Sequence, residues 1–249
     1  MMTAQQPASA NKTLGIIGGM SWESSQSYYR LINQGIKEAL GGLHSADILL
    51  HSLDLAPIAT LQAQGSWDEL SKIMVNSSKR LQAGGADGIL IATNTMHKVA
   101  DQVQAATNLP LIHIADATAV AIKQQGLTKI ALLGTNFTMT EDFYTKRLKS
   151  AGLQVMIPDE AARTEVHRII YDELCQGQLL DSSRQYYTQV INDLAAQGAQ
   201  GVILGCTEIG LLINQEDSPI PVFDTTAIHA AAAVEFLLGS SEINQGNAG

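Results

Sequence analysis

The chain is short of the features that usually advertise a function. Its 249 residues include only two cysteines, Cys175 and Cys206. They sit at neither a metal-ligand nor a disulfide-framework spacing, so in a reducing, cytoplasmic setting both are expected as free thiols. The six histidines, His44, His51, His97, His113, His167 and His229, form no HExxH or Cys/His ligand pattern, and no metal site is expected. Basic residues are scarce, 15 against 24 acidic ones, for a net charge of −9. That balance excludes a nucleic acid or an anionic membrane surface as the main partner, and any anionic ligand must be held locally. No apolar run approaches the length of a membrane span. The opening residues lack a basic stretch followed by an apolar one, so no secretory leader is expected, and residues 1–12 and 241–249 read as loose tails.

What is present is a hydrophobic content of 45%, enough for one large domain or two lobes. Short β-rich runs alternate with longer helical patterns: Leu14 to Ile17, Asp47 to His51, Gly88 to Ala92, Leu111 to Ile114, Ile130 to Leu133, Val155 to Ile157, Val202 to Leu204, and Val222 to Phe223. This alternation predicts an α/β fold with parallel sheets. Ser66-Trp67-Asp68-Glu69 has capping-box spacing and opens a helix running to about Gly84, while Asp181 or Ser182 is expected to cap one that stops at Gly198.

Two stretches are copies in register. Gly85-Ala86-Asp87-Gly88-Ile89-Leu90-Ile91-Ala92-Thr93-Asn94-Thr95 aligns without a gap on Gly198-Ala199-Gln200-Gly201-Val202-Ile203-Leu204-Gly205-Cys206-Thr207-Glu208. Leu14-Gly15-Ile16-Ile17-Gly18-Gly19 likewise matches Ile130-Ala131-Leu132-Leu133-Gly134-Thr135, and Pro110-Leu111-Ile112-His113 matches Pro221-Val222-Phe223-Asp224. The chain therefore reads as two similar parallel-sheet lobes related by a pseudo-twofold duplication. Equivalent strand ends should meet across one cleft, with Thr93 and Cys206 on opposite walls.

A thiol has a reference pKa of about 8.5, so modest help from backbone N–H groups would make Cys206 a usable base near neutrality. Thr93 occupies the matching position with a hydroxyl, which can donate a proton but cannot rest as an anion. Cys175 falls in the helical pattern Val166 to Cys175 and reads as inert packing. The Gly15/Gly18 spacing fails a dinucleotide-binding GxGxxG. Gly18-Gly19 instead suits a close approach of a small anion to backbone N–H groups near Met20 and Ser21, with Gly134-Thr135-Asn136 as the counterpart turn. His97, Lys98 and His113 are candidates to assist Thr93 or to bind a carboxylate. Glu208 suits two roles, orienting a substrate ammonium or tuning Cys206.

With Gly18-Gly19-Met20-Ser21, Asn94-Thr95-Met96-His97 and Gly205-Cys206-Thr207-Glu208 in order, the chain resembles the aspartate/glutamate racemase family over its whole length apart from the tails. Members usually carry Cys-Asn-Thr in the first half and Gly-Cys-Thr in the second, and move an amino acid's α-proton between two thiols without pyridoxal phosphate. The Gly-Gly-Met opening and Glu208 look like the aspartate-racemase branch. The resemblance implies Cys206 as an acid/base on the L face and Thr93, in place of the first thiol, as the opposite-face donor. It implies Asn94, Thr95, Thr207, Met20 and Ser21 around the substrate and Gln62 as the side-chain-selecting residue. It also implies no cofactor, a small amino acid such as L-aspartate or L-glutamate as the partner, and a homodimer. The lobes would cover residues 13–115 with the last helix, 225–240, and residues 116–224. Some aspartate racemases carry an Arg near Gln62, which this chain lacks, and a Lys near Thr164, where this chain has Arg163, His167 and Arg168 as neighbours, so a broader substrate range is expected. Two alternatives stand: single-thiol chemistry as in the related arylmalonate decarboxylases, and a non-catalytic binder of a small acidic metabolite.

Overall fold

The structure, a computed structural model, describes residues 12–239. Apart from Lys12, the expected tails lie outside the described residues. The first half runs β1 (Leu14–Gly18), α1 (Trp22–Leu40), β2 (Ile48–Ser52), α2 (Leu55–Ala63), α3 (Trp67–Ala83), β3 (Gly88–Ile91), a 3-10 turn (Thr95–Val99), α4 (Ala100–Ala106) and β4 (Leu111–Ile112). Helix α5 (Ile114–Gln124) leads into β5 (Lys129–Gly134), α6 (Asn136–Thr140), α7 (Asp142–Ser150), β6 (Gln154–Met156), α8 (Glu160–Asp172), a 3-10 turn (Leu174–Gln176) and α9 (Asp181–Ala196). The chain closes with β7 (Gly201–Gly205), α10 (Ile209–Leu212), β8 (Val222–Asp224) and α11 (Thr225–Leu237). All strand pairs are parallel, in two four-stranded sheets ordered β2-β1-β3-β4 and β6-β5-β7-β8. The two sheets share one topology, so the duplication legible in the sequence is a duplication of fold.

Strands covered on both faces should be apolar throughout, and these are. On the first sheet Leu14, Ile16 and Leu90 pack to one side with Tyr28 and Ile32 of α1 and Ala230 and Phe236 of α11. Ile17, Ile89 and Ile91 alternate to the other side, against Leu70 and Met74 of α3. Burying each such aliphatic side chain contributes about 1.5–3 kcal/mol. A single larger cluster fills the second half.

The helix starts show the duplication again. His113 caps α5 and Asp224 caps α11, each accepting a hydrogen bond from a backbone N–H two residues on. The strand expected over Leu111 to Ile114 therefore stops at Ile112, because its last two residues are drawn into the next helix. Two expected caps are corrected. Ser66 precedes α3 but makes no capping hydrogen bond, and α9 begins at Asp181 after Leu180, so neither Asp181 nor Ser182 is its cap. Asp181 instead places a negative charge in the first turn, where the helix dipole favours it. At the β1–α1 turn Gly19 has φ +84°, and a Cβ there would lie 2.0 Å from the carbonyl oxygen of Leu53. Only glycine fits.

Candidate active site

Strands β3 and β7 end at equivalent points of the two sheets and deliver Thr93 and Cys206 to one cavity. Met20, Gln62 and Thr95 from the first half and Thr135 and Glu208 from the second line it with them. Sequence reasoning missed four further lining residues: Leu55, Ile170, Tyr171 and Cys175. Ser21, Asn94 and Thr207, expected at the substrate, are buried beside the cavity without lining it.

Glu208 is the hub. Its Oε1 accepts from Ser21 Oγ (2.5 Å) and Ser24 Oγ (2.8 Å), and its Oε2 accepts from Thr207 Oγ1 (2.8 Å) and from the Cys206 thiol (2.9 Å). Ser21 also caps α1, and the Ser24 and Thr207 hydroxyls lie side by side as both donate to Glu208. One buried carboxylate thus ties the start of α1 in the first half to the motif after β7 in the second. A carboxylate can be buried at tolerable cost only when its lone pairs are engaged, as here.

Cys206 is correspondingly a thiol and not a thiolate at rest. Burial pushes its pKa well above the ordinary range, and the charge of Glu208 and the nearby Cys175 push it the same way; a backbone N–H of Glu208 opposes them. The expectation that modest help from backbone N–H groups would make Cys206 a ready base near neutrality is therefore corrected, since its surroundings hold the proton on the sulfur. A positive charge must arrive before the proton leaves easily.

Asn94 is buried and is not among the residues that line the cavity. Its Nδ2 donates to Thr225 Oγ1 (3.1 Å), while its buried Oδ1 has no hydrogen-bond partner. Thr95 Oγ1 meets Thr135 Oγ1 at 3.1 Å, and Thr135 caps α6. At the other end Tyr171 donates to Gln62 Oε1 (3.3 Å) and Gln62 Nε2 faces Met96 Sδ (3.2 Å). Hydrogen bonds between the halves therefore surround the cavity.

Lys98, an expected helper, and the basic residues of α8 are engaged elsewhere. Lys98 pairs with Glu141 (2.6 Å) and lies 3.8 Å over the Trp67 ring. Arg163 donates to the Pro158 carbonyl, Arg168 pairs with Glu165 and Glu173, and His167 Nδ1 accepts from the Asn136 N–H. Among the described residues no Lys, Arg or His lines the cavity. Among the described residues there is also no cluster of three or more His, Cys, Asp or Glu able to hold a metal ion, and no helix long and apolar enough to cross a membrane.

His97 backs Thr93 without reaching its hydroxyl. Its Nδ1 bonds the Thr93 carbonyl (2.8 Å) and its Nε2 accepts from the Ile114 N–H (3.3 Å), which leaves neither nitrogen free to relay a proton. Its ring stacks edge-on against His113 and His229, the latter held by Tyr28 and the Ile112 carbonyl. Burial lowers the pKa of His97 to about 3 and of His229 to about 4, and that of His113 well below its ordinary value. All three fold neutral but titrate near 6.5 when unfolded, so their stabilisation is complete above about pH 6.5 and is lost as pH falls towards the folded values. Asp116 and Asp224, whose carboxyls burial raises, offset part of the loss at lower pH. Each histidine costs about 1.4 kcal/mol per pH unit in that window. The urea midpoint is expected to drop clearly between pH 7.5 and 5.5; an unchanged midpoint would mean that the histidines are not buried neutral.

Cys175 is a second correction. Helix α8 stops at Asp172, and Cys175 sits in the 3-10 turn before Gly177 (φ +73°), partly exposed into the same cavity as Cys206. Burial, then Glu208 and Glu23, push its pKa far up, so it too rests as a thiol. Gly177 was the available signal that the helix ends early.

Comparison with known proteins agrees with this architecture. Residues 17–233 match the model of the Asp/Glu/hydantoin racemase family. A crystal structure of a proposed Asp/Glu racemase from Yersinia pestis is 56% identical, covering 91% of this chain and 99% of that one, with a TM-score of 0.85. An aspartate racemase homologue from Pyrococcus horikoshii OT3 is 36% identical over 91% of this chain and 99% of its own, with a TM-score of 0.79. The broad specificity amino-acid racemase RacX of Bacillus subtilis is 24% identical over 228 residues, 90% of this chain and 98% of that protein.

Proposed function

The chain belongs to the Asp/Glu/hydantoin racemase family, and from that premise we propose that it interconverts L- and D-amino acids without pyridoxal phosphate, with aspartate and glutamate among its substrates. The observation that carries this reading is that Cys206 and Thr93 line one cavity, with the Cys206 thiol on a buried carboxylate. The substrate's α-ammonium supplies the positive charge that the lining lacks. As it settles beside the Cys206 sulfur it favours the thiolate, the Cys206 proton passes to the adjacent Glu208 carboxylate, and the thiolate so formed takes the α-proton of the L-enantiomer. The planar carbanion then receives a proton from Thr93 on its other face; solvent reprotonates the Thr93 oxygen and Glu208 gives its proton back to solvent, so every group returns to its starting state. Thr95 and Thr135 are placed to hold the α-carboxylate by their hydroxyls.

Gln62 and Tyr171 form the side-chain end. Both are uncharged hydrogen-bonding groups, so a distal carboxylate gains no ion pair there and neutral side chains of similar size are also accepted. Glu208 disfavours the alternative of malonate decarboxylation, since a dianion would be brought against a buried carboxylate with no cation beside it. A passive binder would leave the thiol on Glu208 without a task. The lobe limits of 13–115 with 225–240, and 116–224, follow from the same reading, as does a cytoplasmic homodimer.

Chiral chromatography after incubation with L-aspartate, L-glutamate and their amides tests the proposal. D-product should form from acidic and neutral substrates alike, with no cofactor added. Absence of any D-product from the whole set would sink it.

A further inference from the structure

The two strand ends that carry Thr93 and Cys206 are joined through one side chain outside the motifs. Thr225, the first residue of α11, is fully buried. Its Oγ1 accepts from Asn94 Nδ2 (3.1 Å) and donates to the Leu204 carbonyl (2.7 Å). Asn94 directly follows Thr93, and Leu204 lies two residues before Cys206. We infer that Thr225 is a positioning residue that sets the distance between the two acid/base groups across the cavity, an inference that rests on the racemase reading above.

The physical argument is that proton transfer is steep in distance, and misplacement by about 1 Å can cost about 100-fold. Thr93 and Cys206 sit on different sheets, so the packing within either sheet does not fix their separation. The Thr225 hydroxyl acts on it directly, because it holds a polar group next to each strand end at once, in addition to the ties that Glu208 makes between the halves. Without Thr225 Oγ1, Asn94 Nδ2 loses the side-chain acceptor that holds it among the described residues. Leu204 pairs with Asp224 in the β7–β8 register, and Asp224 caps α11, so the start of this helix is itself fastened where the bridge is needed.

Thr225→Val keeps the volume and removes the bridge; Thr225→Ser keeps the bridge. In D2O, loss of the α-proton from the L-substrate reports the Cys206 face alone, whereas D-product requires both walls. The valine variant is expected to lose about 10- to 100-fold in kcat for inversion, with KM within about threefold and α-deuterium exchange affected less than inversion. The serine variant should restore the wild-type ratio of inversion to exchange. If the valine variant does not fold, Thr225→Cys, with its weaker hydrogen bonds and similar size, should show the same split more mildly. A folded valine or cysteine variant with the wild-type ratio, or equal losses in inversion and exchange, would overturn the inference while normal wild-type turnover leaves the racemase reading intact. A wild-type protein that neither exchanges nor inverts would overturn both.

Discussion

Replacing Cys206 with alanine is expected to lower racemisation of every substrate by about 10²- to 10⁴-fold, the usual scale for a lost acid/base group. The substitution removes the sulfur at the end of β7 while leaving Glu208 its bonds from Ser21, Ser24 and Thr207. The carboxylate stays satisfied, so the fold should hold, and circular dichroism with a thermal melt would check it. Enantiomer formation at saturating substrate, followed by chiral chromatography, gives the loss directly. Turnover within a few-fold of wild type would transfer the L-face role to Cys175, the other thiol in the cavity.

Thr93 carries the second large effect. Thr93→Ala should still exchange the α-proton of the L-enantiomer at Cys206 but produce almost no D-product, because nothing on the first wall delivers a proton. Thr93→Cys should do the opposite and raise turnover from the D side by about tenfold or more, since a thiol gives up its proton far more readily than a hydroxyl. The enantiomers are equal in free energy, so the two directions must keep equal kcat/KM in every variant, and any gain must obey that constraint. His97 cannot rescue the alanine variant, as both its nitrogens are engaged. A folded alanine variant that inverts normally, or a cysteine variant with no gain, would remove Thr93 from the opposite face.

The sheets were legible because buried parallel strands are short, apolar and repeated. All eight expected runs became strands, and the matched Gly85 and Gly198 segments lie at equivalent positions in the two sheets. The deviations have local causes. His113 leaves its strand because its ring caps α5. Cys175 looked like packing because the amphipathic pattern of α8 continues past Asp172, where the backbone does not. The motifs identify Thr93, Cys206 and Glu208 but not the direction a side chain takes. Asn94, read as a substrate ligand, bonds Thr225, a partner 131 residues away that only the fold brings near. The resting state of Cys206 was likewise invisible, since it depends on a desolvated carboxylate accepting the thiol proton. Tyr171 had no sequence signal at all; its place opposite Gln62 comes from the closure of one lobe on the other.

The most direct test of the account is proton NMR of the wild-type protein with each enantiomer of aspartate and glutamate in D2O, paired with chiral analysis of the same samples. The two-wall mechanism predicts loss of the α-proton signal with deuterated product of the opposite hand from both enantiomers. Exchange of the L form with retained configuration would contradict the assignment of Thr93, and no exchange with any of the four would contradict the racemase itself.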